Sequence, residues 1–124
     1  MVSIGHVTLP AGPHKGDVFL VEFPGVGGHV QAGRRPAGVV QADRHARSGT
    51  VIVCPMTSVP PPDDHPRPHR VAVARSESGL DRDGWGKADQ IMTLPAPLLQ
   101  GPIARLAPAA LDRLDTALRF VLDL

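Results

Sequence analysis

Short β-branched runs separated by glycine and proline fill the chain from Gly16 to Thr93, a punctuation that leaves room for strands but not for long helices. Asp17-Val18-Phe19-Leu20-Val21-Glu22-Phe23 has the residue types of a half-buried strand, and the loop from Pro24 to Gly28 closes it. Pro36-Ala37-Gly38-Val39-Val40-Gln41 is a second strand, whose opening proline sits where a missing backbone donor is harmless. Asp43 to Gly49 turns. Thr50-Val51-Ile52-Val53-Cys54-Pro55-Met56 is the most hydrophobic run and predicts a central strand, with Thr57 where it ends. The segment 59–69 holds five prolines among Asp63, Asp64, His65 and Arg67, too few donors for a ladder, so it is expected to be a stiff exposed loop. Arg70 to Ala74 alternates like a strand with one solvated face, Ser76 to Asp83 turns, and Trp85 to Thr93 predicts a strand pair or one long strand.

The tail changes period. Leu111, Leu114, Leu118, Val121 and Leu122 recur at helical spacing, and Pro108 suits a first helical turn, so a helix is expected over 108–122. Residues 1–15 show no period and are assigned to an N-terminal arm, leaving one domain over 16–124. The expected fold is mainly β with antiparallel strands, a small, strongly twisted barrel with the C-terminal helix packed against it.

Composition narrows the function. Phe19, Phe23, Trp85 and Phe120 are the only aromatic residues, so the core must be aliphatic and surfaces for base stacking are few. With a net charge of +1, any polyanion site must be local. Cys54 stands alone, which excludes an internal disulfide, and its apolar neighbours predict a buried small hydrophobe. Neither a signal peptide nor a membrane-spanning apolar stretch is evident, so a cytoplasmic location is expected and no membrane contact. His65 and His69 are separated by prolines and cannot share a helix face as a zinc pair; neither metal nor cofactor is expected. Asp63 and Asp64 fit loop solvation better than a catalytic carboxylate pair.

The densest polar cluster is His29-Val30-Gln31-Ala32-Gly33-Arg34-Arg35-Pro36, which feeds a strand, while Thr57-Ser58 closes the next one. If those strands are antiparallel neighbours, Arg35 and Thr57 meet at one rim. Arg35 offers rigid donors suited to a phosphate, and Thr57 adds a hydroxyl for the same phosphoryl oxygens. On residue type and spacing alone the pair reads more readily as a solvated rim arginine and a turn residue than as a catalytic pair.

Gly16-Asp17-Val18, the block Gly28 to Val40, and Pro55-Met56-Thr57-Ser58 together resemble the MazF/PemK toxin family. Ser78-Gly79-Leu80, Ala88-Asp89-Gln90-Ile91-Met92-Thr93 and the helix through Leu111 to Leu118 continue the resemblance in order, so that it runs from Gly16 to Leu124. It implies an SH3-like barrel of the CcdB/MazF type and a homodimer. The implied function is that of a type II toxin: a sequence-selective, metal-independent endoribonuclease (mRNA interferase) that cuts single-stranded RNA, not DNA, and is restrained by a cognate antitoxin. It also implies attack of a ribose 2′-OH on the adjacent phosphorus, with Arg35 and Thr57 at the scissile phosphate and Gln31, Arg34, Ser58 and Gln90 as substrate contacts. Three positions depart from the family pattern: Val30 replaces its glutamate, with His29 in place of the preceding serine, and Met92 replaces an arginine. His29, an imidazole one position away, is a candidate for the lost acid–base role; the sequence leaves open which group takes the 2′ proton. The 59–69 loop is expected to border the substrate groove and meet the antitoxin, or to be a passive connector. The rival reading is a catalytically silent CcdB-like barrel that inhibits a protein such as a topoisomerase.

Overall fold

Alternation at period two gives the sheet two apolar faces, and this sets the architecture. A computed structural model describes residues 2–4, 7–9, 12–63, 65 and 67–124 of the chain. Its elements are β1 (Val2–Ile4), β2 (Val7–Leu9), β3 (Asp17–Phe23), β4 (Gly33–Val39), β5 (Thr50–Thr57), β6 (Arg70–Val73), α1 (Arg75–Ser78), β7 (Gly84–Lys87), β8 (Met92–Pro95), β9 (Gln100–Arg105) and α2 (Pro108–Leu122). β1 and β2 pair only with each other, inside the segment assigned to the arm. The rest form an antiparallel sheet in the order β6-β7-β5-β4-β3-β9, with β8 also on β5. The mainly β, antiparallel fold with its C-terminal helix is therefore as expected. The pairing path ends at β6 and β9, so among the described residues the ladder curves without closing into a ring.

β5 is the hub. Thr50 to Val53 pair with β8, Val53 to Pro55 with β4, and Met56 and Thr57 with β7. Neighbours along the strands fall into opposite cores: Phe19, Val21, Val39, Val51 and Val53 fill one, while Val18, Cys54 and Met56 join Val71, Val73 and the helix in the other. Burial pushes the Cys54 thiol up to about 12, so this side chain is an inert core group, as its apolar neighbours predict.

Pro108 opens α2, whose buried Ala110, Leu114 and Ala117 repeat at spacings of three and four and face the second core. A Cβ placed on Gly86 would lie 2.9 Å from Leu114 Cδ2, so the absence of a side chain there lets the helix settle onto β7. Polar ties fix its angle: Lys15 Nζ lies 2.9 Å from Asp115 Oδ1, and Arg113 reaches both Ala72 O at 3.0 Å and Glu77 Oε1 at 2.6 Å. The Arg113 guanidinium and the Ala74 amide hold the Glu77 carboxyl below its ordinary value.

One local expectation changed, one pair of alternatives was resolved, and one strand had not been expected. The turn expected over 76–83 begins with α1, one helical turn in which Glu77 caps back onto the Ala74 amide at 3.1 Å. The stretch from Trp85 to Thr93 is two strands, each antiparallel to a different part of β5. β9, for which the sequence carries no strand signal, adds to the β3 edge through Asp17↔Arg105 and Leu20↔Gln100. In the 59–69 loop, Arg67 pairs with Asp63 at 2.9 Å; Asp64 and Pro66 lie outside the described residues. No helix is long and apolar enough to cross a membrane among the described residues.

Candidate active site

The start of β4 and the end of β5 meet because the two strands are antiparallel, with Ala37 opposite Pro55 and Gly38 opposite Cys54. Continuing that register by one side-chain repeat sets Arg35 beside Thr57, both on the face of Ala37 and Val39. Arg34, Arg35, Thr57 and Ser58 all line one open cleft of about 270 Å³. Its remaining wall comes from the turn between α1 and β7, including Leu80, Asp81, Arg82 and Gly84. Such a volume lies near the lower end of the ~300–1,000 Å³ of small-ligand sites, enough for one linkage of a chain rather than a folded macromolecule.

The two central side chains are differently prepared. Thr57 Oγ1 accepts a hydrogen bond from the Val59 amide at 3.1 Å, which orients the hydroxyl and leaves its proton available to an incoming oxygen. Arg35 is exposed, and among the described residues its guanidinium makes no hydrogen bond or ion pair. Its charge is felt locally: Lys87 is held below the ordinary lysine value by burial first, then by Arg70 and Arg35, with Asp89 acting in the opposite sense. Arg70 lies directly across from Lys87, and Trp85 directly across from Thr57. Lys87 and Arg70 thus add positive charge on β7 and β6, beside the cleft but outside its lining, in a chain whose net charge is only +1.

The other residues singled out in the sequence separate into two groups. Arg34 lines the cleft and donates to Gln100 Oε1 at 2.7 Å, which steadies it from β9. His29, Gln31 and Gln90 lie together but outside the cleft lining. Gln90 Oε1 accepts from the Gln31 amide at 2.8 Å, and Gln90 Nε2 donates to His29 O at 2.9 Å. This glutamine therefore clamps the loop leading into β4. Gln31 is itself buried, with Nε2 on Ala32 O at 3.1 Å, while the His29 ring stays exposed.

Asp81 and Arg82, which line the cleft, and Lys87, which stands beside it outside the lining, were not singled out in the sequence. The only sequence signal for the first two is the polar turn Gly79 to Gly84, which lacks any local indication of what it will face. Gly84 supplies that placement: a Cβ there would come 2.8 Å from Thr57 O, so only glycine lets this turn close against the end of β5.

A family model described as PemK-like, MazF-like toxin of type II toxin-antitoxin system matches residues 14–122. Endoribonuclease MazF9 of Mycobacterium tuberculosis is 31% identical over 116 residues, covering 89% of this chain and 96% of the relative. Endoribonuclease EndoA of Bacillus subtilis is 32% identical over 111 residues, covering 89% and 94%. Among solved structures, an endoribonuclease in complex with its cognate antitoxin from Mycobacterial species superposes with a TM-score of 0.73 at 25% identity, covering 91% of this chain and 97% of that one. MazF from Deinococcus radiodurans, at 24% identity, shares the fold with a TM-score of 0.72 over 93% of this chain and all of its own.

Proposed function

Because the chain belongs to the PemK-like, MazF-like family of type II toxins, we infer that it is an endoribonuclease whose active pair is Arg35 and Thr57. The observation that carries the site is the convergence of these two residues, 22 positions apart, in one cleft with Arg34 and Ser58. The chemistry follows from what the cleft offers. A ribose 2′-OH attacks the adjacent phosphorus, and negative charge grows on the phosphoryl oxygens of the five-coordinate transition state. Arg35 meets that charge with paired N–H donors and Thr57 with its hydroxyl. DNA lacks the nucleophile and is not cut. Arg35 serves as a charge stabiliser, because a guanidinium is a poor base.

The substrate is single-stranded RNA cut at preferred sequences, since an open cleft at a sheet rim admits a splayed-out linkage but not a stiff duplex. Arg70 and Lys87 extend the positive surface for flanking phosphates and do the work that Met92 cannot. His29 would act on a flanking nucleotide rather than on the linkage held by Arg35. Gln31 and Gln90 support recognition by fixing the loop. An acidic segment of a cognate antitoxin would cover the same cations and exclude RNA. Val26 and Val30 in the loop before β4 and Val59 after β5 are exposed apolar side chains that a second copy would bury, which supports a homodimer. The site of action is the cytoplasm, where RNA is available.

The test is a cleavage assay on mixed RNA in EDTA with the parent and Thr57→Ala proteins. Thr57→Ala is expected to lose about 100-fold in rate, since one donor to the transition state is removed. Unchanged cleavage by Thr57→Ala would discard the site, and a parent that cuts no RNA would favour the silent barrel.

A further inference from the structure

Resting on the ribonuclease reading above, we propose that Asp81 is the general base, taking the 2′-hydroxyl proton as the new bond to phosphorus forms. Asp81 lines the same cleft as Arg35 and Thr57, on the wall that Gly84 allows to close against Thr57 O. Its neighbour Asp83 has a structural task, accepting the Arg75 amide at 2.8 Å, and Ser78 Oγ accepts the Leu80 amide at 3.0 Å. Those two bonds fix the turn and leave the Asp81 carboxylate without an ion pair among the described residues.

A carboxylate on a phosphodiester-binding wall works against binding. Two like charges 4 Å apart repel by about 1 kcal/mol even in bulk water, and more where water is partly excluded. Its presence among three cleft arginines is accounted for by chemistry that needs a proton acceptor. The cleft offers few others. Arg34, Arg35 and Arg82 are cations, the Thr57 hydroxyl is a weak base, His29 stands outside the lining, and Asp83, the second carboxylate of the lining, is held by the Arg75 amide on Oδ1.

The step balances without a co-reactant beyond water. The 2′-OH proton moves to the Asp81 carboxylate while the O2′–P bond forms. The P–O5′ bond then breaks, its electron pair stays on O5′, and that oxygen takes a proton from water. The products are a 2′,3′-cyclic phosphate and a 5′-hydroxyl, and Asp81 returns its proton to solvent.

Asp81→Asn keeps the size of the side chain and removes the acceptor. In single-turnover and steady-state cleavage of RNA, its kcat is expected to fall by about 100-fold or more while KM changes by less than about threefold. Asp81→Glu should recover a substantial part of the rate. Formate added to Asp81→Ala should raise cleavage, and formate added to Arg35→Ala should not, a contrast that a merely structural role would not produce. If Asp81→Asn cleaves within about threefold of an active parent, or falls only in KM, the base assignment is overturned while the ribonuclease reading stands. If the parent itself fails to cleave, both fall.

Discussion

Arg35→Ala is expected to abolish measurable RNA cleavage, with a loss of about 1,000-fold or more in single-turnover rate, and to leave the melting temperature of the protein unchanged. The size follows from position. The guanidinium can present two parallel donors to the phosphoryl oxygens, and unlike those of Arg34, which reaches Gln100, its donors are not engaged elsewhere among the described residues. Nothing in the ground state is spent holding it. Stability is spared for the same reason: Arg35 is exposed and its removal leaves no buried partner unsatisfied. Arg35→Lys keeps the charge but loses the planar fork, so it should retain only a small part of the activity. A rate for Arg35→Ala within about tenfold of the parent would remove Arg35 from the site.

Leu114→Ala is expected to give the largest loss of stability, roughly 3 kcal/mol, seen as a fall on the order of 10 °C in thermal midpoint. Leu114 is 1% exposed at the centre of the helix–sheet core, seated over Gly86 and beside Cys54. Glycine below it has no side chain to move into the space, so truncation leaves a cavity that the strands cannot easily close. The effect reaches the site, because β7 beneath the helix also pairs Trp85 with Thr57. A midpoint shift below a few degrees would mean that the helix packs less tightly on β7 than the structure shows. Leu111→Ala, on the partly buried side of the same helix, should cost less.

These two residues differ in how readily the sequence discloses them. Leu114 belongs to a helical repeat that any amphipathic reading finds, because period and burial are both local properties. β3 and β5 were equally legible, since Asp17 to Phe23 and Thr50 to Met56 carry β-branched residues in unbroken runs. β9 was not. Gln100 to Arg105 is exposed at nearly every position and contains Pro102, so it is a strand only because the β3 edge is there to pair with it. α1 is similar, a single turn that exists through Glu77 and its partners rather than through propensity.

The same division runs through the site. Arg35 and Thr57 could be brought together in advance because antiparallel pairing of consecutive strands converts a strand start and a strand end into neighbours. Asp81 depends on a steric fact that no local pattern encodes, the close approach of Gly84 to Thr57 O. Lys87 needs the pairing of β6 with β7 before its neighbour Arg70 is known. Gln90 shows the converse: a polar residue that suggests a ligand contact in the sequence has its amide engaged by the Gln31 amide and His29 O, while Gln31 donates Nε2 to Ala32 O and keeps Oε1 buried with no hydrogen-bond partner among the described residues.

The central claim, that this chain cuts RNA by 2′-OH attack in the Arg35–Thr57 cleft, is tested most directly by the end groups of its products. A purified RNA incubated with the protein in EDTA should yield 2′,3′-cyclic phosphate and 5′-hydroxyl ends, and the same strand with 2′-deoxyribose at the cut position should remain whole there. Products bearing 5′-phosphates, or cleavage at the 2′-deoxy position, would contradict it.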